Sequence, residues 1–270
     1  MESLTQEITE ITKTASGTWG ISLKDLQTDE HWEVNGDVAF NAASVIKVPI
    51  MAAVFQAIAE GKHSLSDWIT LPEEELVGGS GVLQHMTPGT KLTVEDVLLL
   101  MVIQSDNTAT NMMIELVGKS YIQNFIDKQG MEHTQLYNKL MLPPELRSKY
   151  SNQTTAKDNM ILLEKMHDGT LVSKGASKQM MEMMKKQQIT NCLPRLIRFD
   201  YPQGKRNGVH WEIGHKTGSI TKHRHDVGVL YVNDQAMIIS VLSRGAYEKD
   251  LEEAIAKIGE VAFHYLLERE

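Results

Sequence analysis

Three short polar clusters stand in order along the chain: Ser44-Val45-Ile46-Lys47, Ser105-Asp106-Asn107 and Lys216-Thr217-Gly218. Together they supply a hydroxyl nucleophile, two amines and a second hydroxyl able to pass a proton. That is the equipment for acyl transfer through a serine ester. Ser44 and Lys47 are three residues apart, a spacing that puts both side chains on one face of a helix. Pro49 has no N–H and is best tolerated in a first helical turn, so it locates a helix start near Ser44. There the unpaired N–H groups and the helix dipole favour a developing negative charge. Val45, Ile46, Val48, Ile50 and Met51 give Lys47 apolar neighbours. Such surroundings disfavour an ammonium, lower its pKa and fit it to take the proton of Ser44. The spacing also fits a surface serine near a surface lysine, and Ser219-Ile220-Thr221-Lys222 repeats it.

Ser105 follows an apolar run and precedes a helical stretch. In a catalytic reading Ser105 shuttles a proton to a leaving nitrogen and Asn107 holds a substrate amide, although Asp and Asn at such a junction also serve as helix caps. Lys216 could bind a carboxylate or tune Ser105, and Gly218 would let a substrate backbone come close. The N–H of Ser219 could pair with that of Ser44 as an oxyanion hole. The same residues also read as a strand end with a glycine turn.

These side chains need a frame. Residues 2–15 have the apolar spacing of an amphipathic helix, with Leu4, Ile8 and Ile11 on one face. Strand patterns lie at 18–23 and 31–34. Helical spacing or helix-start chemistry marks 43–60, 93–101, 109–117, 120–128, 155–166 and 173–186. Strands return at 211–216, 226–232 and 237–244, with Asn233-Asp234 as a hairpin turn, and 249–267 forms a closing helix. The order predicts an α/β (α+β) fold: an antiparallel sheet of about five strands flanked by the N- and C-terminal helices, plus an all-helical lobe. Residues 1–41 and 209–270 would form the sheet lobe, with 42–208 inserted as the helical lobe.

Composition narrows the partners. The formal net charge of −8 argues against nucleic acid, which wants a basic face. No apolar run approaches the ~18 residues of a membrane span. The N-terminus lacks a basic start and an apolar core, so as it stands it reads as cytoplasmic, or as secreted if a leader has been removed. Cys192 is the only cysteine, which excludes an intrachain disulfide and reads as a small packing residue. The expected protein is a monomer.

The chain resembles the class A serine beta-lactamases and the related penicillin-binding DD-peptidases. The resemblance is carried by 42–49 (Ala-Ala-Ser-Val-Ile-Lys-Val-Pro), Gly79-Ser80-Gly81-Val82-Leu83, Leu92-Thr93, 101–109 (Met-Val-Ile-Gln-Ser-Asp-Asn-Thr-Ala) and Lys216-Thr217-Gly218-Ser219. It implies a two-lobed fold with the site in the cleft between lobes. It makes Ser44 the acylated nucleophile, Lys47 its base or proton carrier and Ser105 the relay. Asn107 would contact the acyl amide, and Lys216 with Thr217 the substrate carboxylate.

Two departures stand out. The family's Glu-x-x-Leu-Asn loop supplies the glutamate that activates the deacylating water. Here the stretch reads Pro143-Pro144-Glu145-Leu146-Arg147, with Pro143 in the glutamate's place and Arg147 in the asparagine's. Glu145 is the nearest carboxylate and is either an out-of-register base or an exposed loop residue. Past the Lys-Thr-Gly, relatives often supply an arginine for the substrate carboxylate. Arg224 is the candidate, and strand alternation allows only one of Arg224 and His225 to face the cleft. His223-x-His225 invites a metal reading, but no third ligand is evident and no cofactor is expected. The expected function is a metal-free serine hydrolase opening beta-lactam amides through a Ser44 acyl-enzyme, with slowed deacylation. The alternatives are a DD-peptidase or esterase-like hydrolase, and a penicillin-binding sensor without turnover.

Overall fold

A computed structural model describes residues 1–197, 203–206 and 209–269. Helix α1 (Glu2–Ala15) precedes strands β1 (Thr18–Asp25) and β2 (His31–Val34). Strand β3 (Phe40–Asn41) and a 3₁₀ turn, Ala43–Ile46, lead into α2 (Lys47–Ala59). Strands β4 (Trp68–Thr70) and β5 (Lys91–Thr93) precede α3 (Val94–Ile103), α4 (Asn107–Val117) and α5 (Lys119–Lys128). Then come β6 (Gln153–Thr154), α6 (Ala156–His167) and α7 (Lys174–Lys185). Strands β7 (Gln203–Arg206), β8 (Val209–Ile220), β9 (His223–Val232) and β10 (Gln235–Arg244) lead to α8 (Glu248–Leu267).

Capping explains where several helices start. The Thr93 hydroxyl accepts from Asp96 N while the Asp96 carboxylate accepts from Thr93 N, a reciprocal box that opens α3. Asp106, Thr155 and Ser173 cap α4, α6 and α7 through the N–H groups of Ala109, Asp158 and Ala176.

The main sheet has the order β2-β1-β10-β9-β8-β7, antiparallel throughout. Alternation along its strands serves two apolar cores. Trp19, Ile21, Leu23, Trp211, Ile213, Leu230 and Ile239 meet Leu4 and Ile8 of α1 and Leu251, Ile255, Ile258 and Phe263 of α8. On the opposite face Val227, Val229, Ile238 and Leu242 join the core of the helical segment, around Val45, Ile46, Met51, Met101 and Met113.

All five expected strands and the flanking terminal helices are present. Strand β7 adds a sixth at the sheet edge, inside the stretch read as helical. Two small ribbons, β3 with β6 and β4 with β5, were also missed; strands of two or three residues are too short to display a period. The expected boundary at Gly208 lies outside the described residues.

Candidate active site

Lys47 is the first residue of α2, one turn beyond Ser44, and is fully buried. A buried ammonium needs its protons taken. The Lys47 Nζ donates to Ser105 O at 2.6 Å, Ser105 Oγ at 3.1 Å and Asn107 Oδ1 at 2.9 Å. From β8, the equally buried Lys216 donates to Ser105 Oγ at 3.0 Å and to Thr217 O at 2.8 Å. The Ser105 hydroxyl thus accepts from both amines. A hydroxyl has two lone pairs and one proton, so this hydroxyl is left with its proton to give. Burial, and then the charge of Lys216, push the Lys47 pKa well below the usual lysine value, against the opposing pull of Asp106. Burial lowers Lys216 to about 7, with Asp226 resisting the fall.

The backbone holds these groups under strain. Ala43 and Ser105 adopt φ of 43° and 52°, the left-handed region that non-glycine residues avoid. Ala43 N donates to Asn41 Oδ1 at 3.0 Å, and Ala42 N to Asn152 O at 2.8 Å, which fixes the turn that carries Ser44. Strand β8 lies against that turn: a Cβ on Gly218 would come within 3.2–3.3 Å of Val45, Ala43 and His225. Asp106 braces the other side. Its Oδ2 accepts from Val82 N at 2.7 Å and Leu83 N at 2.8 Å, while Oδ1 caps α4 through Ala109 N at 2.9 Å. Asn107 adds a bond from Nδ2 to Gly78 O at 3.1 Å.

Above this network is a cleft of about 510 Å³, lined by Ser44, Asn107, Ser219, Gly79 and Ser80 and by the 138–152 loop. Of the residues expected to act, Ser44, Asn107 and Ser219 therefore reach the cleft. Lys47, Ser105 and Lys216 meet one another in the buried layer, with Thr217 and Gly218 on the strand that carries Lys216. Glu145 does not join them. It sits exposed on a 3₁₀ turn, Pro144–Leu146, and does not line the cleft. Arg224 also points elsewhere: it pairs with Glu252 at 2.6 Å and Glu248 at 3.3 Å on α8. On β9 it shares the face of Leu230 and Val232, so α8 receives it. His225 faces the other way but is fully buried; its Nε2 lies 2.9 Å from Asn41 O and its Nδ1 accepts from Ser243 N at 3.1 Å. Burial lowers its pKa to about 4. Neither side chain lines the cleft.

One element escaped sequence reasoning. Asp226, fully buried, lies 2.9 Å from His215 Nδ1 and accepts from Leu193 N at 3.0 Å. No local pattern distinguishes it, because its partners come from other segments. Cys192 is buried beside it, and burial raises its thiol pKa well above normal, so it is not a thiolate nucleophile. Among the described residues no group of three His, Cys, Asp or Glu side chains could hold a metal ion. None of the described helices is long and apolar enough to cross a membrane.

A model of the beta-lactamase enzyme family matches residues 3–266. The chain belongs to the beta-lactamase enzyme family. It is a beta-lactamase-like serine hydrolase, with an identity to individual family members that is modest. The beta-lactamase PSE-4 of Pseudomonas aeruginosa is 26% identical over 97% of this chain and 90% of its own. A beta-lactamase structure from Sphaerobacter thermophilus has 30% identity and a TM-score of 0.87, covering 97% of this chain and 96% of that one. PBP-A has 26% identity and a TM-score of 0.85, covering 99% and 97%. A point mutant of PBP-A has been solved as an acyl-enzyme complex with penicillin-G.

Proposed function

We propose that this protein opens beta-lactam amides by acylating Ser44 and releases the product slowly. The observation that carries this reading is the Ser105 hydroxyl, which accepts from both lysines beneath the cleft that Ser44 lines. Neutral Lys47 takes the Ser44 proton as Ser44 Oγ attacks the carbonyl carbon. The N–H groups of Ser44 and Ser219 hold the oxyanion. As the C–N bond breaks, Ser105 gives its proton to the leaving nitrogen and is reprotonated from Lys47. Lys216 and Thr217 hold the substrate carboxylate, and Asn107 holds the acyl amide. Gly218 keeps the strand close to the nucleophile.

Slow release follows from what the cleft contains. No aspartate or glutamate is among its described lining residues, so none of these residues offers a carboxylate to activate water for the ester. Loss of one general base costs roughly 10²–10⁴-fold. The likeness to PBP-A favours a second reading, a penicillin-binding protein that acylates once.

Incubation with penicillin-G followed by intact-mass measurement should show one adduct, absent in Ser44→Ala. A chromogenic cephalosporin should give a burst and then slow turnover. An adduct with no turnover at all favours the single-acylation reading, and no adduct in the wild type rejects both. Glu145→Gln should leave the adduct lifetime unchanged, since Glu145 is exposed outside the cleft. A longer lifetime would make Glu145 the deacylating base.

A further inference from the structure

We propose that the loop wall of the cleft is a subsite for a second anionic group on the acyl side of the substrate, with Arg147 and Lys149 as its counter-ions. The proposal rests on Ser44 being the acylated residue and names the substrate class: acyl donors that carry a carboxylate on each side of the scissile amide. Carboxylates outnumber basic side chains in the chain, 35 to 27, yet the described cleft lining inverts that balance. It includes Lys139, Arg147 and Lys149 and no acidic residue. A concave surface of one sign focuses its field on a ligand of the other.

The three cations are not equivalent. Lys139 is committed, pairing with Glu75 and, at 2.7 Å, with Glu115. Arg147 gives its Nε to Leu142 O within the loop, and neither it nor Lys149 has a carboxylate partner among the described residues. The Lys149 ammonium rests over the Tyr150 ring, 4.8 Å from its centroid. An exposed contact of that kind is weak and yields to a carboxylate.

The backbone beneath these cations is pinned. Asn152 Oδ1 accepts from Tyr137 N at 2.8 Å and Asn138 N at 2.9 Å, and Asn138 Oδ1 accepts from Ser148 N at 2.7 Å. Asn111 brackets Leu140, accepting from its N–H at 2.8 Å and donating to its carbonyl at 3.0 Å. A loop already held pays little ordering cost when ligand arrives. Lys216 is buried against Ser105 and is not among the described lining residues that carry Arg147 and Lys149, so a ligand engaging both needs two anions.

The test compares penicillin-G with its analogue bearing a carboxylate on the benzylic carbon of the side chain. Second-order acylation rates are read by intact mass at low and high ionic strength. In the wild type the dianionic penicillin should react roughly three- to tenfold faster at low salt, as expected for two solvent-exposed ionic contacts. High salt should shrink the ratio. It should fall to about one in Arg147→Ala/Lys149→Ala and below one in Arg147→Glu/Lys149→Glu. Because each ratio compares two substrates on the same protein, a loss of folded fraction cancels. A wild-type ratio of one, or a ratio preserved in the double variant, overturns the subsite. If penicillin-G still labels Ser44 in that case, the acyl-transfer reading stands alone. Labelling by neither compound overturns both.

Discussion

At the residue scale, two buried lysines meet at one hydroxyl, and their protonation decides what each can do. Lys47 is pushed well below its ordinary value, first by burial and then by Lys216. It can therefore be neutral and serve as a base where a surface lysine would be charged. Lys216 lies at about 7 and needs its proton to attract a carboxylate. Raising the pH through about 7 should therefore slow acylation by an anionic substrate as that charge is lost. Asp226 is the group that holds the Lys216 pKa up. Asp226→Asn should move the falling limb to lower pH, seen in the adduct formation rate against pH. A limb that stays in place or moves up would remove Asp226 from this role. The serine–lysine spacing and the apolar neighbours of Lys47 made the depressed amine legible from sequence. The influence of Asp226 was not legible, because it acts across a strand pair.

At the element scale, the junction between α3 and α4 does two jobs. Capping and catalytic positioning were competing readings of Ser105-Asp106-Asn107, and in the structure the cap falls to Asp106 while its two neighbours bond elsewhere. Asp106 caps α4 and holds the 82–83 backbone; Ser105 and Asn107 receive Lys47. Gly81 makes this possible. Its φ is +109°, and a Cβ there would fall 2.2 Å from Asp106 Cγ. Gly81→Ala should cost about 2–4 kcal/mol in denaturant unfolding, since it adds a clash to backbone strain. Gly89, with φ +88° and nothing within 4 Å of its Cβ position, provides the comparison. Gly89→Ala should cost only the strain, about 1 kcal/mol. Equal losses would remove close approach to Asp106 as the reason for Gly81. The long helices were readable because caps and a 3.6-residue period repeat over several turns. The alternation of β9 was readable too, but its direction was not. Arg224 belongs to α8 because Glu248 and Glu252 stand there.

At the scale of the whole molecule, the sheet is clamped between α1 with α8 on one face and the helical segment on the other. The two sides carry different loads: the cleft is on the helical side, while α1 and α8 stabilise the sheet. Ile8 of α1 is fully buried in the core shared with the sheet and α8, so Ile8→Ala should lower unfolding free energy by about 2–5 kcal/mol. The acylation rate per folded molecule should not change. A slowed rate in the folded fraction would mean that the terminal helices reach the site. Sequence alone determined the motif order, the long helices and the five principal strands, because period, caps and turn residues act over a few neighbouring positions. Only the tertiary structure decided that Ser105 serves two amines, one of them 111 residues away in the chain. It also decided that Glu145 lies outside the cleft, that Arg224 turns to α8 and that Arg147 and Lys149 line the loop wall. Those outcomes depend on which distant surfaces bury one another, and no local spacing records the direction in which a side chain ends up facing once they do.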